Sequence, residues 1–147
     1  MIQAYFSPGT DCLNAIKTYL DNAVTPLDIA EYCFTDSKIW EYLKAALARG
    51  VITRLLLDRQ SSRRWSAIWI RFLIWQSYPN ITVRISKTPG LMHNSFCVNG
   101  NHQVLTGSYN WTAVARKRNN ENLILTDYGI AYTVYKAQFD YLWALNA

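Results

Sequence analysis

One histidine and a short loop of small polar residues form the strongest chemical pattern in this chain. His93 precedes an apolar run that ends at the turn Asn99-Gly100, and a second apolar run then leads into Gly107-Ser108-Tyr109-Asn110. Histidine can act as a nucleophile or as a proton donor, and hydroxyl and amide groups can donate hydrogen bonds to phosphate oxygens. Each residue also has an ordinary alternative, because a single histidine on an apolar strand is often structural and serine and asparagine often shape turns. The pattern predicts a strand, a tight turn, a second strand and a polar loop.

The order of these residues closely resembles the catalytic half-site of the phospholipase D superfamily, especially its small one-motif nucleases such as the bacterial EDTA-resistant endonucleases. The family pattern is His-x-Lys-x4-Asp, then six residues, then Gly-Ser-x-Asn. The spacing from His93 to Gly107 and Ser108 fits this pattern without a gap. The lysine position holds Ser95 and the aspartate position holds Gly100. Weaker short matches in the same order extend the resemblance over nearly the whole chain.

The resemblance implies a metal-free and cofactor-free mechanism in a homodimer, since the chain carries only one such motif. Two copies of His93 would face each other across a two-fold axis, one forming a phosphohistidine and the other protonating the leaving group. Glu121 matches the acidic residue of the family and would hold the second imidazole nitrogen of His93. Ser108 and Asn110 would donate hydrogen bonds to phosphate oxygens. A two-fold dimer is also the commonest protein assembly.

The two departures from the family pattern bear on activity. In the family, the lysine neutralises the phosphate, and Ser95 offers only a short neutral donor in its place. The serine is either a replacement that disables an active enzyme or the mark of a site that has become weak, and Gly100 is not readily explained by the first alternative. A third alternative is rescue by a nearby base. The candidates are Lys87, Arg116, Lys117 and Arg118.

Composition and charge limit the class of protein and its partners. The chain has 147 residues, of which half are hydrophobic and 17% are charged, as expected for one folded domain spanning residues 1–147. The net charge of +5 suits an anionic partner, with nucleic acid favoured and an anionic lipid surface as the alternative. The three cysteines form no metal-binding pattern and favour a reducing, cytoplasmic location. The sequence shows no signal peptide and no apolar run long enough to span a membrane.

Two basic clusters could border such a site. Arg59, with Arg63 and Arg64, follows a predicted strand, and a second cluster at 116–118 follows the polar loop. Loops at strand ends commonly border the ligand cleft of α/β folds. Cations that contact phosphates supply affinity without reading base sequence, so we expect any cleavage of nucleic acid to be non-specific.

The predicted fold is α/β, with one domain in which a mixed, mostly parallel sheet has helices on both faces. Strands and helices alternate in the first half of the chain, and hairpin-linked strands follow. The helix predicted at Ser62–Ser77 carries a wide apolar surface rich in tryptophan, suited to packing on the sheet, to a partner or to a membrane surface. The predicted strands are Ile2–Phe6, Pro26–Phe34, Val51–Leu57, Ile81–Ile85, Phe96–Asn99, Gln103–Thr106 and Glu121–Leu125. The other predicted helices run from Thr10 or Asp11 to Asn22, from Asp36 or Ser37 to Arg49, and over Ile130–Leu145.

Three functions remain open at this point. The first is a phosphodiesterase acting on DNA or RNA. The second is a degenerate family member that binds nucleic acid or another phosphate ligand without turnover, which the residues at 95 and 100 favour. The third is a phosphodiesterase acting on an anionic phospholipid. Retention of His93, Ser108, Asn110 and Glu121 together favours an enzyme, because a protein that only binds has no need of an oriented nucleophile.

Overall fold

The computed structural model describes residues 1–63 and 78–147. Within them, seven strands form one sheet, with helices between and after them along the chain. The strands are β1 (Ile2–Ser7), β2 (Leu27–Glu31), β3 (Thr53–Leu57), β4 (Ile81–Ile85), β5 (Ser95–Asn99), β6 (Val104–Gly107) and β7 (Glu121–Thr126). The helices are α1 (Asp11–Asp21), α2 (Ser37–Ala48), α3 (Ala113–Lys117) and α4 (Gly129–Leu145), with a 3-10 turn at Ser61–Arg63.

The sheet has the strand order β1-β7-β6-β5-β2-β3-β4. The prediction of a mixed sheet in a single α/β domain is confirmed. The prediction that it is mostly parallel is wrong, because only the pairings of β2 with β3 and of β3 with β4 are parallel among the six in the described chain. The physical reason lies in the second half of the chain, where a tight turn makes β5 and β6 antiparallel and the longer connection through α3 returns β7 antiparallel to β6.

Helices cover both faces of the sheet, as predicted. Helices α1 and α2 pack on one face, where the larger core includes Ile16, Leu43 and Leu55 at 0% exposure. Helix α4 packs on the other face over β2, β5 and β6, around the buried Phe139. Strand alternation distributes the residues of β2, β3, β5 and β6 between the two cores, so that Cys97 enters the first and Phe96 the second.

Two elements differ from the sequence-based prediction. Strand β2 ends at Glu31 instead of Phe34, because the following residues bend across to the polar loop, where Phe34 forms an isolated bridge with Trp111. The short helix α3 was not predicted. It follows that loop directly, and the Thr112 side chain caps it by accepting a hydrogen bond from the Ala115 amide at 3.1 Å.

The predicted helix Ser62–Ser77 lies mainly outside the described residues. Its first two positions belong to the 3-10 turn. Residues 64–77, which include Arg64 and the tryptophan-rich surface, are not described. The described part of the chain contains no helix that is both long and apolar enough to cross a membrane.

Candidate active site

Strand register brings the predicted site residues to one end of the sheet, which we call the site end. Glu31, the last residue of β2, pairs with Ser95, the first residue of β5. Farther along the sheet, Ser7 at the end of β1 pairs with Glu121 at the start of β7, and Gly107 at the end of β6 pairs with Leu123. Segments far apart in sequence therefore meet where β5 and β7 begin and where β1, β2 and β6 end.

His93 lies at the site end, two residues before β5. Its side chain is exposed, and its ring packs against that of Tyr32, with the ring centroids 4.3 Å apart and the planes inclined by 60°. Tyr32 directly follows β2 and is half-buried. The histidine is therefore accessible, as a nucleophile must be, and one side of its ring packs on an aromatic ring. The other histidine, His102, is exposed in the hairpin turn and stacks on Tyr132.

Asp58 holds the backbone that leads into His93. This carboxylate is 1% exposed. Its Oδ2 accepts a hydrogen bond from the Met92 amide at 2.9 Å, and its Oδ1 accepts from the Gln60 and Ser61 amides at 2.8 and 2.9 Å. One buried side chain thus joins the turn after β3 to the residue before the nucleophile candidate. Sequence reasoning assigned Asp58 no role, although a carboxylate at the end of an apolar strand is a recognisable signal of a buried, hydrogen-bonded group.

The polar loop is held tightly against β7. A Cβ atom at Gly107 would lie 2.2 Å from the Asn122 carbonyl oxygen, so only glycine allows this approach. The Ser108 Oγ accepts a hydrogen bond from the Asn122 amide at 3.1 Å, which leaves the hydroxyl proton available to a ligand. The Asn110 side chain is half-buried and has no hydrogen-bond partner within residues 1–63 and 78–147. Both residues are therefore ready to donate hydrogen bonds.

Glu121 lies at the site end, but it does not hold His93 within one chain. Its Oε1 accepts a hydrogen bond from the Asn119 side-chain Nδ2 at 3.0 Å, and its backbone amide donates to Ser7 Oγ at 3.2 Å. Among the described residues, no hydrogen bond joins Glu121 to His93. The reason is that β6 lies between β5 and β7, which separates the two side chains by two strand spacings, roughly 9–10 Å.

A cleft of about 350 Å³ opens at the site end, and among the predicted site residues Asn110 contributes to its lining. The segment after β2 forms one wall, and the polar loop with the start of α3 forms the other. The two walls are joined where the Thr35 and Asp36 amides donate to the Trp111 carbonyl at 2.8 and 2.9 Å. The lining residues are Tyr32, Cys33, Thr35, Asn110, Thr112, Ala113, Val114 and Asn119.

Ser95 is bound to a buried acid. Its hydroxyl donates a hydrogen bond to Glu31 Oε2 at 2.7 Å and lies 3.4 Å from the Tyr109 carbonyl oxygen. Glu31 Oε1 accepts from the Trp111 amide at 3.3 Å. Glu31 is 0% exposed, and burial raises its pKa to about 8, although hydrogen bonds from Ser95, Trp111 and Cys33 act in the opposite direction. Glu31 was missed by sequence reasoning, and its only signal was an acid within an apolar strand.

The structure gives a physical reason for Gly100. A Cβ atom there would lie 2.3 Å from the Thr25 carbonyl oxygen, and the Gly100 amide donates to the Val24 carbonyl at 3.2 Å. Any larger residue requires the backbone to move. In the same turn, Asn99 Oδ1 accepts from the Asn101 amide at 2.9 Å. The turn is therefore built around glycine, and an aspartate at position 100 would not fit this backbone.

The basic residues predicted to bind phosphate fall into two groups. Arg116 donates through Nε to Asp36 Oδ2 at 2.9 Å, and the Lys87 ammonium donates to the Ala147 carbonyl, so both have partners elsewhere. Lys117, Arg118 and Arg59 are exposed and form no ion pair within the described part of the chain, so these three predicted phosphate-binding residues are available to a ligand.

Comparison with known proteins places this arrangement in a family. The family model described as "Cardiolipin synthase, PLD-like domain" matches residues 16–143. A phospholipase D of Rickettsia conorii is 34% identical over 126 residues, which are 86% of this chain and 61% of that protein. A mitochondrial cardiolipin hydrolase of Xenopus tropicalis is 40% identical over 137 residues, or 92% of this chain and 63% of that protein. The chain thus spans about six tenths of the length of these curated relatives.

The fold is shared with a solved structure. Nuc from Salmonella typhimurium, a phospholipase D family member, superposes with a TM-score of 0.93 and covers 100% of this chain and 96% of its own. Sequence identity in that superposition is 24%, so the likeness shows the fold alone.

Proposed function

The chain belongs to the phospholipase D-like family, and from that premise we propose that it is a metal-independent phosphodiesterase that cleaves nucleic acid without sequence preference. The observation that supports the proposal is that an exposed His93 and the polar loop with Ser108 and Asn110 lie at the same end of the sheet, where Asn110 lines an open cleft. A diester phosphate placed there would meet a nucleophile and two hydrogen-bond donors.

In the proposed mechanism, an imidazole nitrogen of His93 attacks phosphorus and the bond to the leaving oxygen breaks. The product is a phosphohistidine, and His93 of the partner subunit gives a proton to the leaving oxygen. Water then attacks phosphorus, the phosphorus–nitrogen bond breaks, and the second imidazole takes the proton of that water. Ser108 and Asn110 donate hydrogen bonds to the phosphoryl oxygens throughout. Glu121 orients an imidazole within the assembled dimer, since it does not reach His93 of its own chain.

The outer strand β1 and its neighbour β7 carry an exposed apolar surface on which a second copy of the chain can pack. The outer strand β1 exposes large apolar side chains on the same face, with Ile2 at 61% and Phe6 at 64% exposure. Ile124 on the neighbouring β7 is 37% exposed on that face, opposite Ala4. Apolar residues grouped in this way favour burial against a partner. Phe6 is adjacent to Ser7, which pairs with Glu121, so this surface reaches the site end.

Nucleic acid is the preferred substrate class because of charge. The exposed cations Lys117 and Arg118 follow the cleft, Arg59 follows β3, and the chain carries a net charge of +5. These side chains suit a polyanionic backbone, and no arrangement among the described residues suggests reading of bases.

The test is cleavage of fluorescent single- and double-stranded oligonucleotides in EDTA. We expect cleavage that His93→Ala abolishes and that His102→Ala, the matched control in the exposed turn, leaves unchanged. Binding without cleavage in every form would instead assign the chain to the degenerate alternative, in which the site holds a phosphate ligand without turnover. Equal activity of the two histidine variants would contradict the proposal.

The dimeric mechanism has its own test. Wild-type and His93→Ala chains are unfolded together, refolded at varied ratios and assayed, with the mass measured by light scattering. If both histidines of a dimer are required, activity falls with the square of the wild-type fraction. A linear fall, or an active monomer, would show that one chain is sufficient.

A lipid phosphodiester is the second candidate substrate. An apolar groove of about 470 Å³ lies beside the residue that follows His93, between β5 and α4. Its lining residues are Asn94, Phe96, Thr133, Val134, Tyr135, Ala137 and Gln138. The relatives named phospholipase D and cardiolipin hydrolase also support this class. Release of phosphatidic acid from cardiolipin-containing vesicles, with no cleavage of oligonucleotides, would select it.

A further inference from the structure

The pairing of Ser95 with Glu31 places a proton-bearing group next to the proposed phosphate site. Ser95 is the first residue of β5 and lies two residues after His93. Its hydroxyl contacts the Glu31 carboxyl at 2.7 Å and lies 3.4 Å from the Tyr109 carbonyl oxygen in the polar loop. A change in the protonation state of Glu31 therefore affects the Ser95 hydroxyl, which lies close to the polar loop and two residues after His93.

The protonation state of Glu31 determines what this hydroxyl can do. When Glu31 is a carboxylate, it can only accept, so the Ser95 proton is held by Oε2. When Glu31 is a carboxylic acid, it can donate its proton to Ser95 Oγ, and the Ser95 proton is then free for another acceptor. The alternative acceptors are the Tyr109 carbonyl oxygen and an oxygen of a bound phosphodiester. Only the neutral acid therefore leaves Ser95 able to donate to a ligand.

The charge of Glu31 also makes its neutral form the one that favours binding of an anionic ligand. Glu31 is 0% exposed and, among residues 1–63 and 78–147, no lysine or arginine lies within ion-pair distance of it. Ionisation would place an uncompensated negative charge beneath the site of an anionic diester. Burial already disfavours this charge, as the pKa of about 8 indicates.

We propose that Glu31 is a positioning residue which, as a neutral acid, directs the Ser95 hydroxyl toward a phosphodiester oxygen and, as a carboxylate, withdraws it. The Glu31–Ser95 pair thereby makes phosphodiester binding depend on pH. This inference rests on the proposed function only in taking a phosphodiester as the ligand. The inference assigns a role to Glu31, which lies on β2 and belongs to neither the His93 segment nor the polar loop.

Other titratable groups lie near Glu31, and their ionisation has to be distinguished from that of Glu31. Burial is the main cause that raises the pKa values of Cys97 and Tyr109, so both stay protonated up to pH 9. The other charged or ionisable side chains of β2 and the neighbouring segments are Asp28 in β2, Tyr32 and Cys33 after it, Arg54 in β3, Asp58 after β3, Asp36 before α2, Cys12 in α1, His93 and Cys97 at β5, Tyr109 in the loop and Arg116 in α3.

The test uses diethyl phosphate, which remains a monoanion from pH 6 to 9.5. Its binding is followed by chemical-shift changes in the protein, and the carboxyl carbon of Glu31 is titrated by NMR in the same samples. We expect affinity in the wild type to fall by about tenfold in total as Glu31 titrates, which is the loss expected when the Ser95 hydroxyl no longer donates to the ligand. In Glu31→Gln, whose amide mimics the neutral acid and donates to Ser95, we expect affinity to stay constant. The exposed Glu41→Gln on α2 is the matched control and should behave as wild type.

A third variant, Ser95→Ala, tests whether the Ser95 hydroxyl carries the effect of Glu31. It should weaken binding at pH 7 by roughly tenfold and abolish most of the effect of Glu31→Gln, because the hydroxyl carries that effect. Circular dichroism checks that each variant is folded. The inference fails if Glu31→Gln retains the wild-type fall in affinity, if wild-type affinity does not change with pH, or if diethyl phosphate does not bind. Cleavage is not needed for the readout, so a chain that binds in this way but cleaves nothing would contradict the proposed function alone.

Discussion

The Ser95 hydroxyl and the Glu31 carboxyl, on neighbouring strands, form a 2.7 Å hydrogen bond at the end of the sheet where the site residues meet. The serine occupies the position of the family lysine, and the acid beneath it has no cation partner among the described residues. The serine alone looks like the loss of a phosphate-binding group. Together with Glu31, it is one half of a polar pair, and the two positions have to be tested together.

The first prediction concerns stability against pH. The pKa of Glu31 is raised by burial to about 8, from an unfolded value near 4.5. Between these two values the folded state binds more protons than the unfolded state, so stability is fully present below pH 4.5 and is lost as pH rises toward 8. We expect the free energy of unfolding to fall by up to about 1.4 kcal/mol per pH unit relative to Glu31→Gln. Urea unfolding at several pH values measures this, and parallel pH dependences of the two proteins would contradict it.

The second prediction concerns restoring the lysine. In Ser95→Lys, the new ammonium would pair with Glu31 and lower its pKa, so that the lysine serves the acid instead of a phosphate. We expect little change in cleavage rate from Ser95→Lys alone and a gain of roughly 10²-fold when Glu31→Gln is added. The assay is oligonucleotide cleavage in EDTA, with His93→Ala added to each variant as the inactive control. A full gain from the single substitution would show that Glu31 does not compete for the lysine.

The third prediction concerns the hairpin turn. Gly100→Ala should destabilise the protein by about 1–3 kcal/mol, because its Cβ would lie 2.3 Å from the Thr25 carbonyl oxygen and the backbone must shift. Gly90→Ala is the matched control, since nothing lies within 4 Å of its added Cβ. Its effect should stay within about 0.5 kcal/mol. Urea unfolding compares the two, and equal stabilities would mean that the turn relaxes freely.

The fourth prediction concerns the carboxylate that anchors Met92. Asp58→Ala leaves the amides of Met92, Gln60 and Ser61 without their acceptor, which should cost about 2–3 kcal/mol in stability. It should also lower kcat more than it raises KM, because the backbone before His93 loses its anchor. Asp58→Asn keeps one acceptor oxygen and should have an intermediate effect on both quantities. A change in stability with unaltered kcat would limit Asp58 to a structural role.

Much of the site could be predicted because its central residues are close together in the chain. The distance along the sequence from His93 to Ser108 and Asn110 is fixed by two short strands and a tight turn, so the linear pattern carries the geometry. The strands themselves are apolar runs that must be buried, and the helices show periodic apolar faces. The prediction for β2 was too long because Phe34 remains buried after the strand ends, which an apolar run alone does not reveal.

What the linear pattern does not contain is contact between distant segments. Ser95 meets Glu31 across 64 positions, and Met92 meets Asp58 across 34. Both contacts depend on the strand order, which places β5 beside β2 and the end of β3 near the start of β5. Local hydrophobicity makes a strand but does not select its neighbour, since that choice is made by the packing of all the strands and helices at once.

The sequence by itself determined the family, the nucleophile candidate and the donor loop, because each is written in a short, contiguous pattern. Only the tertiary structure decided which groups surround them. It placed a buried acid under Ser95, paired Arg116 with Asp36, and separated Glu121 from His93 by an intervening strand. The physical reason is that hydrogen bonds, burial and the pKa shifts they cause depend on distances in space between segments whose separation along the chain is large.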